Sequence, residues 1–371
     1  MKYPWIQQMS TKKIAFFLQN LSGGGAEKSV VNLSNFLVND GVDIDIVLVE
    51  KHSAVYLKEL DTKIRVIDLH KNRSLKSIIK VKKYIENNKP DVVMSSVTHI
   101  NIILALVALI SRKTKTKIAI NQVNHLSSII GYHIKNKMLK KLIVKAIIYV
   151  YNFTDGSISM SKGVEKDLLE NGLTIESKYI YNPIFLDLMI DKSKGMSNDS
   201  RKTFIAIGRI VPQKNFSLLI EAFSLVNNEF ESTLIILGEG PLRSDLEKQI
   251  ADLGLTKNVF LEGFVDNPYQ YIKNADVFVL TSLWEGFGNV IVESLALGTQ
   301  VVSTDCDSGP NEILENGKYG FISSAFHKFE LARLMIEALN NPIDSDLLIK
   351  RGKQFSVESS AKKYKDFLLS I

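Results

Sequence analysis

Along this chain, short runs of apolar and β-branched residues alternate with longer stretches whose apolar positions recur every three to four residues. Strands and helices taken in turn produce that alternation of periods, and together they describe parallel α/β layers. In the first half the pattern predicts strands at 13–18, 43–49, 92–96, 117–121, 156–160 and 178–181. Helices are predicted at 26–39, 75–88, 100–111, 134–153 and 162–171, with a glycine loop at 22–25. From Asp191 to Lys202 the residues are polar and aperiodic, which marks a linker. The alternation then restarts with strands at 203–208, 232–237, 258–262, 276–281 and 300–303. Helices follow at 215–226, 242–253, 289–297, 310–315, 328–340 and 356–370. The expectation is an α/β protein of two Rossmann-like, doubly wound domains, 1–190 and 203–354, joined by residues 191–202. Ligands then belong at the carboxyl ends of the strands, in the interdomain cleft.

Composition supports this picture and narrows it. A chain of 371 residues exceeds what one hydrophobic core usually serves, and its 45% apolar and 23% charged content is ordinary for globular domains. The lone Cys306 excludes an internal disulfide and fits a reducing compartment. Met1 to Ser10 lacks the apolar core of a signal peptide, and the longest apolar run, Ile102 to Ile110, falls far short of the roughly 20 residues that span a bilayer. A cytosolic protein is expected, with membrane contact only at its surface. Charge is unevenly divided. Residues 1–200 hold 29 Lys and Arg against 18 Asp and Glu, net +11; residues 201–371 hold 17 against 22, net −5. The basic half points to an anionic partner, with nucleic acid, a lipid surface and a phosphorylated acceptor as the candidates.

The segment Thr281-Ser-Leu-Trp-Glu-Gly-Phe-Gly-Asn-Val-Ile-Val-Glu293 carries the most chemistry. It sets a glycine turn between a buried strand and a helix start, with Asn289 as the expected cap. Such a turn leaves backbone N–H groups outward, an anion site built from orphan donors and the helix dipole. Glu293, one turn inside the helix, is placed for a ribose diol. Glu285, before the turn, is placed for sugar hydroxyls. Taken alone, the same two residues also read as a surface-loop carboxylate and a dipole-friendly helix carboxylate. Arg209 and Lys214 lie five residues apart just past a strand end, where a planar fork and a compact point charge can reach one diphosphate. In the first half, Leu21-Ser-Gly-Gly-Gly25-Ala-Glu27 departs from the G-x-G-x-x-G fingerprint, so a dinucleotide cofactor is not supported. Gly23, Gly24 and Gly25 either admit a phosphate closely or make a tight turn.

The Glu285–Glu293 segment resembles the E-x7-E motif of the retaining glycosyltransferases of family 4, also called group 1. Other motifs match that family in order: Gly208-Arg-Ile-Val-Pro-Gln-Lys214-Asn, Leu237-Gly-Glu-Gly-Pro241, Gly263-Phe264-Val265 and Ser308-Gly-Pro-Asn-Glu-Ile313. The resemblance implies a GT-B fold, two Rossmann-like domains facing across a cleft, with residues 355–371 returning to the first domain. It implies transfer of a sugar with retention from a nucleotide-diphosphate sugar, expected to be a UDP-sugar. Partners follow: that donor, a glycan or polyprenyl-linked acceptor, an anionic membrane surface, and no nucleic acid. No cofactor or metal is expected. Glu285, His125, Arg209 and Lys214 are the implied catalytic residues. Gly238, Gly263, Phe264, Val265, Gly286, Phe287, Gly288, Asn289 and Val290 join them, Glu293 and the glycine loop at the substrate. His125, in Asn121-Gln-Val-Asn-His-Leu-Ser127, matches a histidine that the family places beside the sugar ring, and Asn182-Pro183 is expected to shape the cleft.

Several features compete with this reading. Asp305-Cys-Asp307 has the D-x-D form used for metal binding in another glycosyltransferase fold, but two carboxylates make an incomplete metal site, and it reads as structural. No G-x-S-x-G elbow supports a hydrolase. A fold-sharing epimerase or phosphorylase, and an inactive nucleotide-binding scaffold, are the rival functions; the four charged residues retained together speak against the scaffold. In the 134–153 helix, Lys137, Lys140, Lys141 and Lys145 cover roughly 140° at 100° per residue. Met138, Leu139, Leu142, Ile143, Ala146 and Val150 cover the opposite face, expected to lie on the core. The lysines then face either water or anionic lipid.

Overall fold

The computed structural model describes residues 11–371 except 23, 52–54, 71–73, 112–113, 185–200 and 325. Seven strands form a first sheet: β1 (Lys13–Leu18), β2 (Asp43–Leu48), β3 (Arg65–Asp68), β4 (Val92–Ser96), β5 (Lys117–Gln122), β6 (Gly156–Ser159) and β7 (Glu176–Tyr179). Six form a second: β8 (Lys202–Ile207), β9 (Ser232–Leu237), β10 (Val259–Gly263), β11 (Val277–Leu280), β12 (Gln300–Thr304) and β13 (Phe321–Ser323). Their spatial orders are β3-β2-β1-β4-β5-β6-β7 and β10-β9-β8-β11-β12-β13, and β1–β2, β1–β4, β8–β9 and β8–β11 all pair in parallel. In both sheets the order reverses beside the first strand, between β1 and β4 and between β8 and β11. A doubly wound sheet opens its ligand crevice at that reversal.

Both faces of each sheet are buried, so the strands read as unbroken apolar runs. Ile14, Phe16 and Leu18 enter one core while Ala15 and Phe17 enter another on the opposite face. Phe204 and Ala206 are likewise divided from Ile205. The C-terminal helix, Val357–Ser370, sends Val357, Ala361, Tyr364, Phe367 and Leu368 into the core of the first sheet. Its entry is fixed by Val357, whose N–H donates to the Ile184 carbonyl at 2.9 Å. Among the described residues, no helix is long and apolar enough to cross a membrane.

Several elements differ from the sequence expectation. β3 and β13 and the helices Tyr269–Asn274 and Ser345–Lys353 are additional. They are short, and their local apolar pattern is too brief to carry a period. The expected linker lies mostly outside the described residues, and its last residue, Lys202, already belongs to β8. A further helix, Leu126–His133, precedes the predicted 134–153 helix, which runs over Lys137–Tyr151 and is capped by Asn136, whose side chain accepts from the N–H groups of Met138 and Leu139. Its buried face is also a correction. Val144, Ile148 and Tyr151 meet the core, whereas Met138 is 85% exposed and Leu142 66%, with Leu139 and Ala146 exposed as well. Two short apolar lines compete on this helix, and the line spaced i, i+4, i+7 is the one the neighbouring elements cover.

Candidate active site

Two loops of the second sheet are tied together at its carboxyl edge. The turn Pro212–Lys214 follows β8, and the loop from Thr281 follows the adjacent β11. Thr281 Oγ1 donates to the Lys214 carbonyl at 2.8 Å, Leu283 N–H to the Gln213 carbonyl at 2.8 Å, and Gln213 Nε2 to the Trp284 carbonyl at 2.8 Å. These bonds set the Lys214 Nζ 2.5 Å from Glu285 Oε1, which also accepts from Ser282 Oγ at 2.6 Å. Ser308 Oγ donates to the Glu285 carbonyl at 2.7 Å, and Glu285 is buried. Arg209, on the same edge, is exposed, and its side chain has no partner among the described residues. Gly238 lets β9 close on this loop: a Cβ there would lie 1.9 Å from the Gly208 carbonyl oxygen. Its N–H donates to the Gly263 carbonyl at 2.7 Å; beyond it Phe264 is 65% exposed and Val265 half-buried.

The glycine turn enters the helix Asn289–Ala296 through Gly288 in the left-handed region, with φ 98° and no side-chain cap. Asn289 is therefore not the cap expected of it. Its Oδ1 accepts from Asn182 Nδ2 at 2.6 Å, a bond across the cleft. A left-handed glycine already starts this helix, which releases the asparagine for that contact and leaves the first-turn N–H groups uncapped by a side chain. Gly25, at the start of the helix Gly25–Asn39, faces the same point, since a Cβ on it would stand 3.5 Å from Asn289 Nδ2. Two helix starts thus meet across the cleft. Gly23 lies outside the described residues. Phe287 stacks on Tyr181 with centroids 5.0 Å apart, and Val290 is half-buried.

Glu293 is half-buried, and loss of hydration pushes its carboxyl up to about 7 against the opposing pull of Lys28. Burial pushes the Tyr56 hydroxyl up to about 12, with Glu59, Glu27 and Glu293 adding to it, and Glu293 likewise helps raise Tyr269. Lys28 pairs with Glu59 and lies 5.1 Å from the Tyr56 ring centroid. Tyr56, Tyr269 and Lys28 were missed in the sequence, where nothing in their local context ties them to Glu293.

His125 precedes the helix Leu126–His133, and its loop presses on the glycine turn: a Cβ on Gly286 would lie 1.5 Å from the Val123 carbonyl oxygen. The first and second sheets thus bring His125 and Glu285 to one place. Glu312 reinforces that closure. Its two carboxylate oxygens accept from the N–H groups of Lys162 and Gly163, at 2.9 and 2.8 Å, capping the helix Lys162–Glu170 of the other domain. Tyr132 packs on Trp284 with centroids 4.7 Å apart, and Asp307 accepts from Ser128 Oγ. Sequence reasoning missed Glu312, Ser128 and Tyr132 because each acquires its meaning from a partner more than a hundred residues away.

Known proteins place this geometry in a family. The model of the glycosyl transferases group 1 matches residues 190–355, and that of glycosyltransferase family 4 matches residues 23–188. An uncharacterized glycosyltransferase of Methanocaldococcus jannaschii is 30% identical, over 78% of this chain and 82% of its own. The N-acetylgalactosamine-N,N'-diacetylbacillosaminyl-diphospho-undecaprenol 4-alpha-N-acetylgalactosaminyltransferase of Campylobacter jejuni is 28% identical, covering 92% and 93%. Among solved structures, Anabaena HepE in complex with UDP superposes with a TM-score of 0.79 at 22% identity, covering 97% of this chain and all of that one. Motifs, two facing parallel sheets and these matches agree: the chain belongs to the group 1, family 4 glycosyltransferases and has their GT-B fold.

Proposed function

We propose that this protein transfers a sugar, with retention and without a divalent metal, from a UDP-sugar to a glycan or polyprenyl-linked acceptor in bacterial surface-polysaccharide assembly. The observation that carries the reading is the clustering of Arg209, Lys214 and Glu285 with two helix starts at the switch point of the sheets. Helix starts and cations together suit a diphosphate. Lys214 has three N–H donors, enough to keep Glu285 and still reach a phosphate. In the step itself the C1–O bond to the diphosphate breaks and the acceptor oxygen bonds C1 from the same face. The acceptor proton passes to a leaving phosphate oxygen, and Arg209 and Lys214 neutralise the charge that gathers there. The Campylobacter jejuni relative is named for a diphospho-undecaprenol-linked substrate, and HepE is bound to UDP; both support the donor and acceptor classes. The metal-free route rests on Arg209 and Lys214, two cations that can neutralise a leaving diphosphate in place of a metal ion. The test is transfer from a panel of nucleotide sugars with and without chelator, the product anomer read by NMR. Activity abolished by chelator and restored by magnesium or manganese overturns the metal-free route; an inverted anomer overturns retention.

The two glutamates divide the donor between them: Glu293 takes the ribose and Glu285 the sugar. Ribose hydroxyls donate best to an ionised carboxylate, and Glu293 ionises as pH passes about 7. UDP affinity is therefore expected to rise between pH 6 and 8, and to lose that rise in Glu293→Gln. The folding contribution has the opposite sign. A carboxyl raised from 4.5 to about 7 stabilises the fold below its unfolded value, and that contribution is lost as pH rises through about 7. Glu285→Ala should spare UDP binding and lower turnover. Calorimetry that finds UDP lost in Glu285→Ala and kept in Glu293→Ala reverses the two roles.

Membrane docking through the helix Lys137–Tyr151 completes the reading, at the cytoplasmic face. Met138, Leu139, Leu142 and Tyr149 are exposed together beside Lys141 and Lys145, the composition of a helix lying in a lipid interface. Vesicles containing anionic lipid should bind the protein less as salt rises, and less after Met138→Ser with Leu142→Ser or Lys141→Gln with Lys145→Gln. Equal partitioning of parent and both variants discards this site.

A further inference from the structure

We propose that Asp167, Ser128 and Asp307 are positioning residues that hold His125 with its proton on Nδ1, leaving Nε2 as a hydrogen-bond acceptor for a donor-sugar hydroxyl. The proposal rests on the reading of His125 as a neighbour of the sugar. His125 Nδ1 lies 2.9 Å from Ser128 Oγ and 3.5 Å from Asp167 Oδ2. Asp167 is buried and anchored: its Oδ2 accepts from the Ser127 N–H at 2.9 Å and its Oδ1 from Asn171 Nδ2 at 3.1 Å. Ser128 Oγ has Asp307 Oδ2 as its second partner.

The proton assignment follows from what each group can give. An ionised carboxylate only accepts, and a serine hydroxyl has one proton. Ser128 donates that proton to Asp307, so its lone pairs face Nδ1, and the contact is satisfied only if Nδ1 carries hydrogen. The nearby Asp167 carboxylate favours the same tautomer, as a carboxylate beside an imidazole N–H does in hydrolytic triads. Nε2 then carries the lone pair and has no hydrogen bond among the described residues.

Asp307 belongs to the second domain, while His125, Ser128 and Asp167 belong to the first. The relay is therefore complete only when the cleft is closed.

The experiment is nitrogen-15 NMR of the full chain labelled at its six histidines, together with kcat, KM and UDP affinity. The parent should show His125 protonated at Nδ1, and Asp167→Asn and Ser128→Ala should each shift it toward the Nε2–H form. Both variants should lower kcat about tenfold or more, the range of a misplaced hydrogen-bonding group, while UDP affinity stays unchanged. Asp307→Asn keeps an acceptor oxygen for Ser128 and should retain most of the turnover that Asp307→Ala loses. A parent His125 protonated at Nε2, or one tautomer in every variant, overturns the relay. A shifted tautomer with undiminished kcat overturns its part in the reaction. The tautomer is read without substrate, so failure to transfer any sugar counts against the transferase reading and not against the relay.

Discussion

Arg209→Ala and Lys214→Ala are each expected to lower turnover by about two to three orders of magnitude, the loss seen when one preorganised group for developing charge is removed. The two variants should differ in kind. Arg209 is exposed with no side-chain partner among the described residues, so its loss leaves the surrounding loops as they are. Lys214 holds Glu285 at 2.5 Å, so its removal strands a buried carboxylate with Ser282 as its remaining side-chain partner. Lys214→Ala should therefore also lower the melting temperature, while Arg209→Ala should not. Lys214→Gln restores a donor to Glu285 without restoring the charge, so stability should recover and turnover should not. Steady-state kinetics with thermal unfolding decide this, and near-parental turnover in both alanine variants removes the pair from the reaction.

Gly286→Ala should abolish transfer while leaving both domains folded. A Cβ at this position would meet the Val123 carbonyl oxygen at 1.5 Å and the Val123 carbonyl carbon at 2.6 Å, both backbone atoms of the other domain. A backbone clash cannot be relieved by turning a side chain, so the cleft must stay ajar. Opening parts His125 from the Glu285 turn and breaks the pairs of Asn182 with Asn289 and of Glu312 with the 162–170 helix. UDP should still bind, because Arg209, Lys214 and Glu293 all belong to the second domain. Solution scattering should report a more extended particle, and calorimetry a UDP affinity close to that of the parent. Full turnover in Gly286→Ala would mean that transfer does not need this closed arrangement.

Local patterns were enough for the fold class and for picking out residues that the structure gathers at the carboxyl edge of the second sheet. The alternation of apolar periods located β1, β4 and β9 at their observed bounds, because strand burial on both faces leaves an unbroken apolar run. Glu285, Glu293, Arg209 and Lys214 stood out because strand ends and glycine turns are written in contiguous residues. Where the structure departs from the local pattern, the deciding partner is remote. Asn289 looked like a cap until Asn182 engaged its side chain across the cleft. Met138 and Leu142 looked like core residues until Val144, Ile148 and Tyr151 took the covered side of their helix. The contacts of Glu312 and Asp307, and the company that Tyr56 and Tyr269 keep with Glu293, are decided by tertiary structure alone. A period reports how a residue stands to its own helix or strand. A contact across a cleft depends on how two independently folded sheets meet, and no local pattern encodes that.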